Sequence, residues 1–212
     1  MIRLANIAKL RRVLVIGAHS DDPEIGCGAT LIRLLRDVPD LVVRFDILCG
    51  RDMRGDEAVA SANKLFDGRE GCEIVTHDFH DAHLPADWSN VKLAVSATRP
   101  FEPDLVLTHR PDDAHQDHRL LGEVVGQTFR DHLIYHFEIA KYDGDLGQPN
   151  VFAPATKEDV DAKCRLLDTF VSQRDKHWFD DETFKGLMRL RGLECASPTG
   201  YAEAFHCRKA LL

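Results

Sequence analysis

Two clusters of histidine and aspartate each follow a stretch of apolar sequence. The first cluster holds His19, Asp21 and Asp22, and the second holds His115 and His118. Imidazole and carboxylate are the ligands that borderline divalent metals such as Zn²⁺ and Fe²⁺ bind in proteins. Three such ligands leave a position open for water, and the metal lowers the pKa of that water toward about 7. A neighbouring carboxylate can then accept the proton, so these residue types predict a metal site for hydrolysis.

Spacing alone leaves several roles open. Asp22 and Asp117 each stand where an aspartate could serve only as a helix N-cap. The pair His115-x-x-His118 places two imidazoles on one face of a helical turn, so both could bind metal. Alternatively, one binds while the other stabilises developing negative charge. His109, at the end of a predicted strand, is more often a hydrogen-bond partner than a ligand.

Apolar runs alternate with helical patterns along the chain. The predicted strands cover residues 13–16, 41–48, 73–76, 104–107, 132–139 and 202–207. The predicted helices cover residues 23–35, 56–66, 89–98, 118–129, 156–171 and 181–191, and residues 142–154 are predicted as a loop. This succession favours an α/β fold, a Rossmann-like three-layer sandwich with a mostly parallel central sheet. Both clusters follow strands of that sheet, so we expect them to meet in one crevice at the carboxyl ends of the strands.

Composition places the chain among ordinary globular proteins. With 212 residues and 44% hydrophobic residues, we expect a single domain over residues 1–212. The net charge of −8 and the absence of a dense Lys/Arg block argue against a nucleic-acid or anionic-membrane partner. Residues 1–12 lack the apolar core of a signal peptide, and no apolar run is long enough to span a bilayer. Six cysteines without a Cys-x-x-Cys pair indicate reduced thiols and a cytoplasmic location. The oligomeric state is not predicted.

Two other patterns were weighed as binding sites. Gly26-Cys27-Gly28 lacks the third glycine of a dinucleotide fingerprint, because residue 31 is leucine, and this disfavours a Rossmann-type methyltransferase. The histidines at 77, 80 and 83 lie in a segment without predicted regular structure. That segment is interpreted as a solvated loop or pocket rim rather than as a second metal site.

The two clusters resemble the two motifs of the PIG-L/LmbE-like family of metal-dependent N-deacetylases, which includes deacetylases of N-acetylglucosamine conjugates. Residues 18–22 are similar to the family's Ala-His-Pro-Asp-Asp, with Ser20 in place of proline. Residues 113–118 are similar to its Asp-x-His-x-Asp-His. Further agreement comes from Arg54-x-x-Glu57, from the helix running from Lys163 toward Ser172-Gln173, and from the strand at residues 201–205.

The resemblance implies a role for each matching residue. The implied metal ligands are His19, Asp22 and His118. Asp21 would act as the general base, and His115 would stabilise the oxyanion of the tetrahedral intermediate as an imidazolium. Arg54 matches a position that contacts substrate in relatives. The implied metal is Zn²⁺, with Fe²⁺ or another divalent ion as an alternative.

The function implied is a zinc-dependent hydrolase that removes acetyl from an N-acetylamino sugar or sugar conjugate by metal-activated water. An alternative is a metal-dependent hydrolase of a small non-sugar amide. A catalytically silent binding module is disfavoured, because binding alone does not need Asp21. The segments 77–90 and 142–154, where substrate identity would be set, match nothing specific enough to name the substrate.

Overall fold

The computed structural model describes residues 9–211. Of residues 1–12, which the sequence predicts not to be a signal peptide, the first eight lie outside the described residues. Within them, seven strands form one sheet in the order β3-β2-β1-β4-β5-β7-β6. The strands are β1 (Arg12–His19), β2 (Val42–Cys49), β3 (Glu73–Thr76), β4 (Leu105–Thr108), β5 (Leu133–Phe137), β6 (Val151–Ala155) and β7 (Tyr201–His206). The first five are mutually parallel, and β7 runs antiparallel to its neighbours β5 and β6.

Six α-helices accompany this sheet in the described part of the chain. They are α1 (Asp22–Asp37), α2 (Asp52–Phe66), α3 (Trp88–Ala97), α4 (Gln116–Thr128), α5 (Lys157–Leu167) and α6 (Asp181–Glu194). Val13 and Val15 of β1 pack in an apolar layer with α1 and α2, whereas Leu14 and Ile16 pack in a second layer with α3 and α4. Alternate residues of one strand therefore enter opposite layers, as the continuous apolar run of β1 predicts. The predicted three-layer α/β fold with a mostly parallel sheet is confirmed.

Strand β6 begins inside the segment 142–154, which the sequence predicts as a loop, and ends one residue beyond it. It pairs only with β7 and contains Pro154, which has no N–H to donate. An edge position tolerates this residue, but its local sequence is not typical of a strand. Helix α5 is capped at its start by Thr156, whose side chain accepts from the N–H of Asp159. It ends at Leu167, four residues before the predicted end, and a short 3₁₀ turn follows at Val171–Gln173.

No helix within residues 9–211 combines the length and apolarity that crossing a bilayer requires. All six cysteines lie among the described residues, and each is a free thiol.

Candidate metal centre

The two clusters meet at one edge of the sheet because β1 and β4 are adjacent and parallel. His19 is the last residue of β1, and Asp22 begins α1 directly after it. His118 lies in the first turn of α4, which follows β4. Residues almost one hundred positions apart in sequence thus come into contact, as the crevice rule for open α/β sheets predicts.

Donor atoms of three residues converge in this crevice. His19 Nδ1 lies 3.0 Å from His118 Nε2 and 3.4 Å from Asp22 Oδ2. His118 Nε2 lies 3.5 Å from Asp22 Oδ1. Ligand atoms about 2.0–2.1 Å from a tetrahedral zinc ion stand about 3.4 Å from one another. The spacing and the His₂Asp donor set therefore fit a zinc ion, and the 13% exposure of the His19 side chain leaves the site open on one side.

The Asp113 carboxylate orients His118 through Nδ1, the ring nitrogen that does not face His19. Its Nδ1 lies 3.3 Å from Asp113 Oδ2, while Asp113 Oδ1 accepts from the N–H of His115 and lies 3.1 Å from Lys141 Nζ. Burial opposes the charge on Asp113, but the hydrogen bond to His118 and the charge of Lys141 hold its pKa below its usual range. Burial and the nearby His109 lower the pKa of His118 to about 4. The imidazole is therefore neutral, which is the form that binds a metal, and Asp113 fixes its tautomer.

The outer nitrogen of His19 faces a second carboxylate. Asp81 Oδ1 lies 3.1 Å from His19 Nε2, and Arg54 Nη1 donates to Asp81 Oδ2 at 2.7 Å. The hydrogen bond with His19 and the charge of Arg54 hold the pKa of Asp81 below its usual range. Arg54, expected to contact substrate, thus stands at the edge of the site and is bound to Asp81.

Asp22 does not act as a helix N-cap. Asp21 occupies that position without a capping hydrogen bond, whereas the Asp22 carboxylate turns into the site. Asp22 Oδ2 accepts from the backbone N–H of His19 at 2.6 Å and lies 2.9 Å from His109 Nε2. His109 is fully buried and stacks on His118 with 3.8 Å between ring centroids. His109 thus lies within hydrogen-bonding distance of Asp22, and together with Asp22 and His118 it forms a buried group that could also hold a metal.

Asp117 is fully buried and holds the loop that carries Asp81. Its carboxylate accepts from the backbone N–H groups of Ala82 and Leu84 at 2.7 and 3.1 Å, and it lies 3.4 Å from His19 Nε2. The N-cap of α4 is His115, so the interpretation of Asp117 as only a cap is wrong.

Asp21 is buried and directly precedes Asp22 in the chain, and His115 stands beside His118. Burial and the neighbouring charge of Asp22 raise the pKa of Asp21 to about 6, so this carboxylate is mostly ionised at neutral pH and can accept a proton. The His115 ring centroid lies 4.6 Å from that of His118. Burial and His19 lower the pKa of His115, and its Nδ1 accepts from the N–H of Asp117. Both features favour a neutral His115 with its proton on Nε2, whereas the imidazolium that the resemblance implies stays a prediction.

The three histidines of the loop at residues 77–83 bond to different partners. His77 binds Asp46, His80 binds Arg51, and His83 binds the backbone carbonyl of Asp81. Within the described residues they form no three-ligand group.

Cys49 stands near His19 and Asp117 in an arrangement that could hold a metal. Burial raises the pKa of the Cys49 thiol to about 12, so it is protonated and a poor ligand at neutral pH.

Two residues of the site were not singled out from the sequence. Asp81 lies in the histidine-rich loop that is interpreted from the sequence as a pocket rim. A carboxylate in that loop could have indicated a candidate site residue. Lys141 carries no motif, and only the folded loop brings it to Asp113. Glu57 of the Arg54-x-x-Glu57 motif does not reach the donors. It accepts instead from the N–H and hydroxyl of Ser172, linking α2 to the turn after α5.

Comparison with known proteins decides the family. A sequence profile of the PIG-L family, described as GlcNAc-PI de-N-acetylase, matches residues 14–129, which is more than half of the chain and includes both clusters. The chain belongs to the PIG-L family. The resemblance inferred from the motifs is confirmed, and membership supports an enzyme of the deacetylase type. Comparison with curated protein sequences found no match.

Solved structures share the fold of this PIG-L protein. N,N'-diacetylchitobiose deacetylase from Pyrococcus horikoshii has a TM-score of 0.69 at 19% identity, covering 94% of this chain and 84% of that one. The zinc-inhibited form of teicoplanin deacetylase Orf2 has a TM-score of 0.71 at 15% identity, covering 92% and 97%. GalB, the 4-carboxy-2-hydroxymuconate hydratase from Pseudomonas putida KT2440, has a TM-score of 0.77 at 19% identity, covering 96% and 98%. Because deacetylases and a hydratase share this fold, the reaction has to be argued from the site.

Proposed function

We propose that this PIG-L protein is a zinc-dependent hydrolase that removes the acetyl group from an N-acetylamino sugar or sugar conjugate. The observation that carries the proposal is the convergence of donor atoms from His19, Asp22 and His118 within 3.0–3.5 Å, next to the buried Asp21. Family membership and the presence of two deacetylases among the structural neighbours support it.

His19, Asp22 and His118 would hold the metal. Bound there, a zinc ion would supply Lewis-acid chemistry, lowering the pKa of water and polarising an amide carbonyl. Fe²⁺ takes the same donors and is the alternative ion. His115 also lies within reach as a ligand, but its Nδ1 already accepts from the N–H of Asp117. Asp22 is the better third ligand because its two oxygens face His19 and His118.

Asp21 would handle the protons. Its carboxylate accepts one from the attacking water, and the same proton can pass to the amine nitrogen as the amide bond breaks. A base of raised pKa suits both steps, since it takes and returns the proton near neutral pH.

His115 would stabilise the charge that develops on the acetyl oxygen. With Nδ1 occupied by the N–H of Asp117, its Nε2–H is the free donor. A neutral donor fixed by a helix terminus needs no reorganisation as the charge forms. Arg54, held at the rim by Asp81, would contact the rest of the substrate.

A substrate panel tests the proposal. Purified, zinc-loaded protein is incubated with N-acetylglucosamine conjugates, with small non-sugar acetamides and with 4-carboxy-2-hydroxymuconate, and acetate release and hydration are measured. We expect acetate from the sugar conjugates and release slower by on the order of 10²–10⁴ from the same samples with the Asp21→Asn variant. Release from non-sugar acetamides alone would favour the alternative amide hydrolase. Hydration without acetate release would contradict a deacetylase.

A further inference from the structure

A buried ion pair interrupts the hydrogen bonding of helix α1. In a continuous α-helix the N–H of Ala29 would bond to the carbonyl of Ile25. Instead, Ile25 O accepts from Lys163 Nζ at 2.6 Å, and the N–H of Ala29 donates to Glu203 Oε1 at 3.0 Å. Lys163 and Glu203 are themselves 2.7 Å apart. Lys163 of α5 and Glu203 of β7 thus replace the backbone hydrogen bond between Ala29 and Ile25.

The backbone of α1 shows the same break. Cys27, midway between the two separated groups, has φ −147° and ψ 15°, which is not helical. The N–H of Thr30 donates to the second oxygen of Glu203 at 2.7 Å, so the carboxylate takes up two backbone groups that the break releases. Lys163 and Glu203 are both buried.

The metal ligand and the base lie on the short segment before the break. The first turn of α1 closes with the N–H of Ile25 donating to Asp21 O at 3.0 Å, and Asp22 lies inside that turn. Lys163 binds the carbonyl of Ile25 at the far end of the same turn. The ion pair is therefore bonded directly to the turn that carries Asp22.

We propose that Lys163 and Glu203 are positioning residues, which hold the break in α1 open and so aim Asp22 at His118. The inference deepens the proposed function and rests on it. A buried ion pair adds little net stability compared with apolar residues of similar size. The main effect of this pair is therefore on the path of the α1 backbone. Its removal should weaken metal binding more than it lowers the free energy of unfolding.

The test replaces the pair as a unit. The double variant Lys163→Met with Glu203→Leu removes both charges, so neither is left buried alone. The Ile25 carbonyl and the Ala29 N–H can then bond to each other, which straightens α1 and turns Asp22 away. The matched control is the double variant Arg191→Met with Glu138→Leu.

The control removes a second buried pair of similar geometry. Arg191 and Glu138 are joined at 2.6 and 2.9 Å, and these bonds do not involve the α1 backbone. Zinc dissociation constants come from competition with a chromophoric chelator, and the unfolding of both metal-free variants is followed in urea. We expect zinc binding to weaken on the order of tenfold in the Lys163/Glu203 variant and to stay within about twofold in the control.

The outcomes separate the two proposals. Wild-type zinc affinity in the Lys163/Glu203 variant, or an equal loss in both double variants, overturns the positioning role while leaving the metal site intact. Failure of the wild-type protein to bind one zinc ion overturns the proposed function and the inference with it. If the double variant does not fold, Glu203→Gln decides in its place. It keeps the size of the side chain, so unchanged zinc binding there overturns the inference.

Discussion

Replacing Asp113 by asparagine should weaken metal binding through its effect on His118, although the substitution changes none of the proposed ligands. Asp113 Oδ1 faces two donors, the N–H of His115 and Lys141 Nζ, while Oδ2 faces His118 Nδ1. If the asparagine oxygen stays with the two donors, its NH₂ group faces His118. Nδ1 must then accept, which moves the imidazole proton to Nε2, the atom that faces the other ligands. In the reverse orientation, the NH₂ group of the asparagine would face the N–H of His115 and Lys141 Nζ, which are both donors and cannot accept from it.

The size of the effect follows from the bond that is lost. A hydrogen bond to a charged group contributes about 1.5–3 kcal/mol, which corresponds to roughly 10- to 150-fold in the zinc dissociation constant. Outer-sphere partners of ligating histidines commonly change metal affinity by about 10- to 100-fold, in agreement with this range. The assay is competition with a chromophoric chelator at fixed pH.

The neighbouring residue offers the control. Asp112 is 71% exposed and pairs with Arg110, whereas Asp113 is 5% exposed. The Asp112→Asn variant should therefore bind zinc within about twofold of wild type. If Asp113→Asn also binds zinc like wild type, then Asp113 does not orient a ligand and the reasoning about His118 is refuted.

Three further predictions, the last with a matched control substitution, follow from the structure. Asp21→Asn should keep zinc but lose on the order of 10²–10⁴ in kcat, because the base is absent; near-normal turnover would reject Asp21 as the base. Arg54→Met should raise KM more than it lowers kcat, since Arg54 lies at the rim; a loss confined to kcat in steady-state kinetics would contradict this. Gly122→Ala places a Cβ at about 2.7 Å from the backbone of residues 109–111 and should cost about 1–3 kcal/mol of unfolding free energy. The matched control on the same helix is Gly126→Ala, whose Cβ meets nothing within 4 Å and which should leave the stability unchanged or raise it. Equal urea midpoints for the two variants would show that the close contact at residue 122 does not lower the stability.

The sheet was predictable because its signal is local. Apolar runs such as Val13–Ile16 are typical of strands covered on both faces, and alternation with helices leaves few topologies. The crevice rule then brings His19 and His118 together without knowledge of the loops. Strand β6 was missed because an edge strand needs little apolar sequence, and Pro154 interrupts its pattern.

The parts of the site that escaped prediction depend on tertiary contacts. The spacing of Asp22 left a helix N-cap open and only the resemblance predicted a ligand; in the structure its carboxylate lies in the crevice against the N–H of His19 and the imidazole of His109. The lowered pKa of His115 follows from burial and from the charge of His19, neither of which its spacing reveals. Lys141 reaches Asp113 only through the path of a loop.

Acetate release before and after zinc is returned to metal-free protein tests the central claim most directly. The substrate is an N-acetylglucosamine conjugate, and wild type is compared with His118→Ala. We predict no acetate from metal-free protein, full activity at one zinc ion per chain for wild type, and neither tight zinc binding nor acetate release for His118→Ala. Equal acetate release with and without metal, or normal zinc binding by His118→Ala, would contradict a deacetylase whose metal is held by His19, Asp22 and His118.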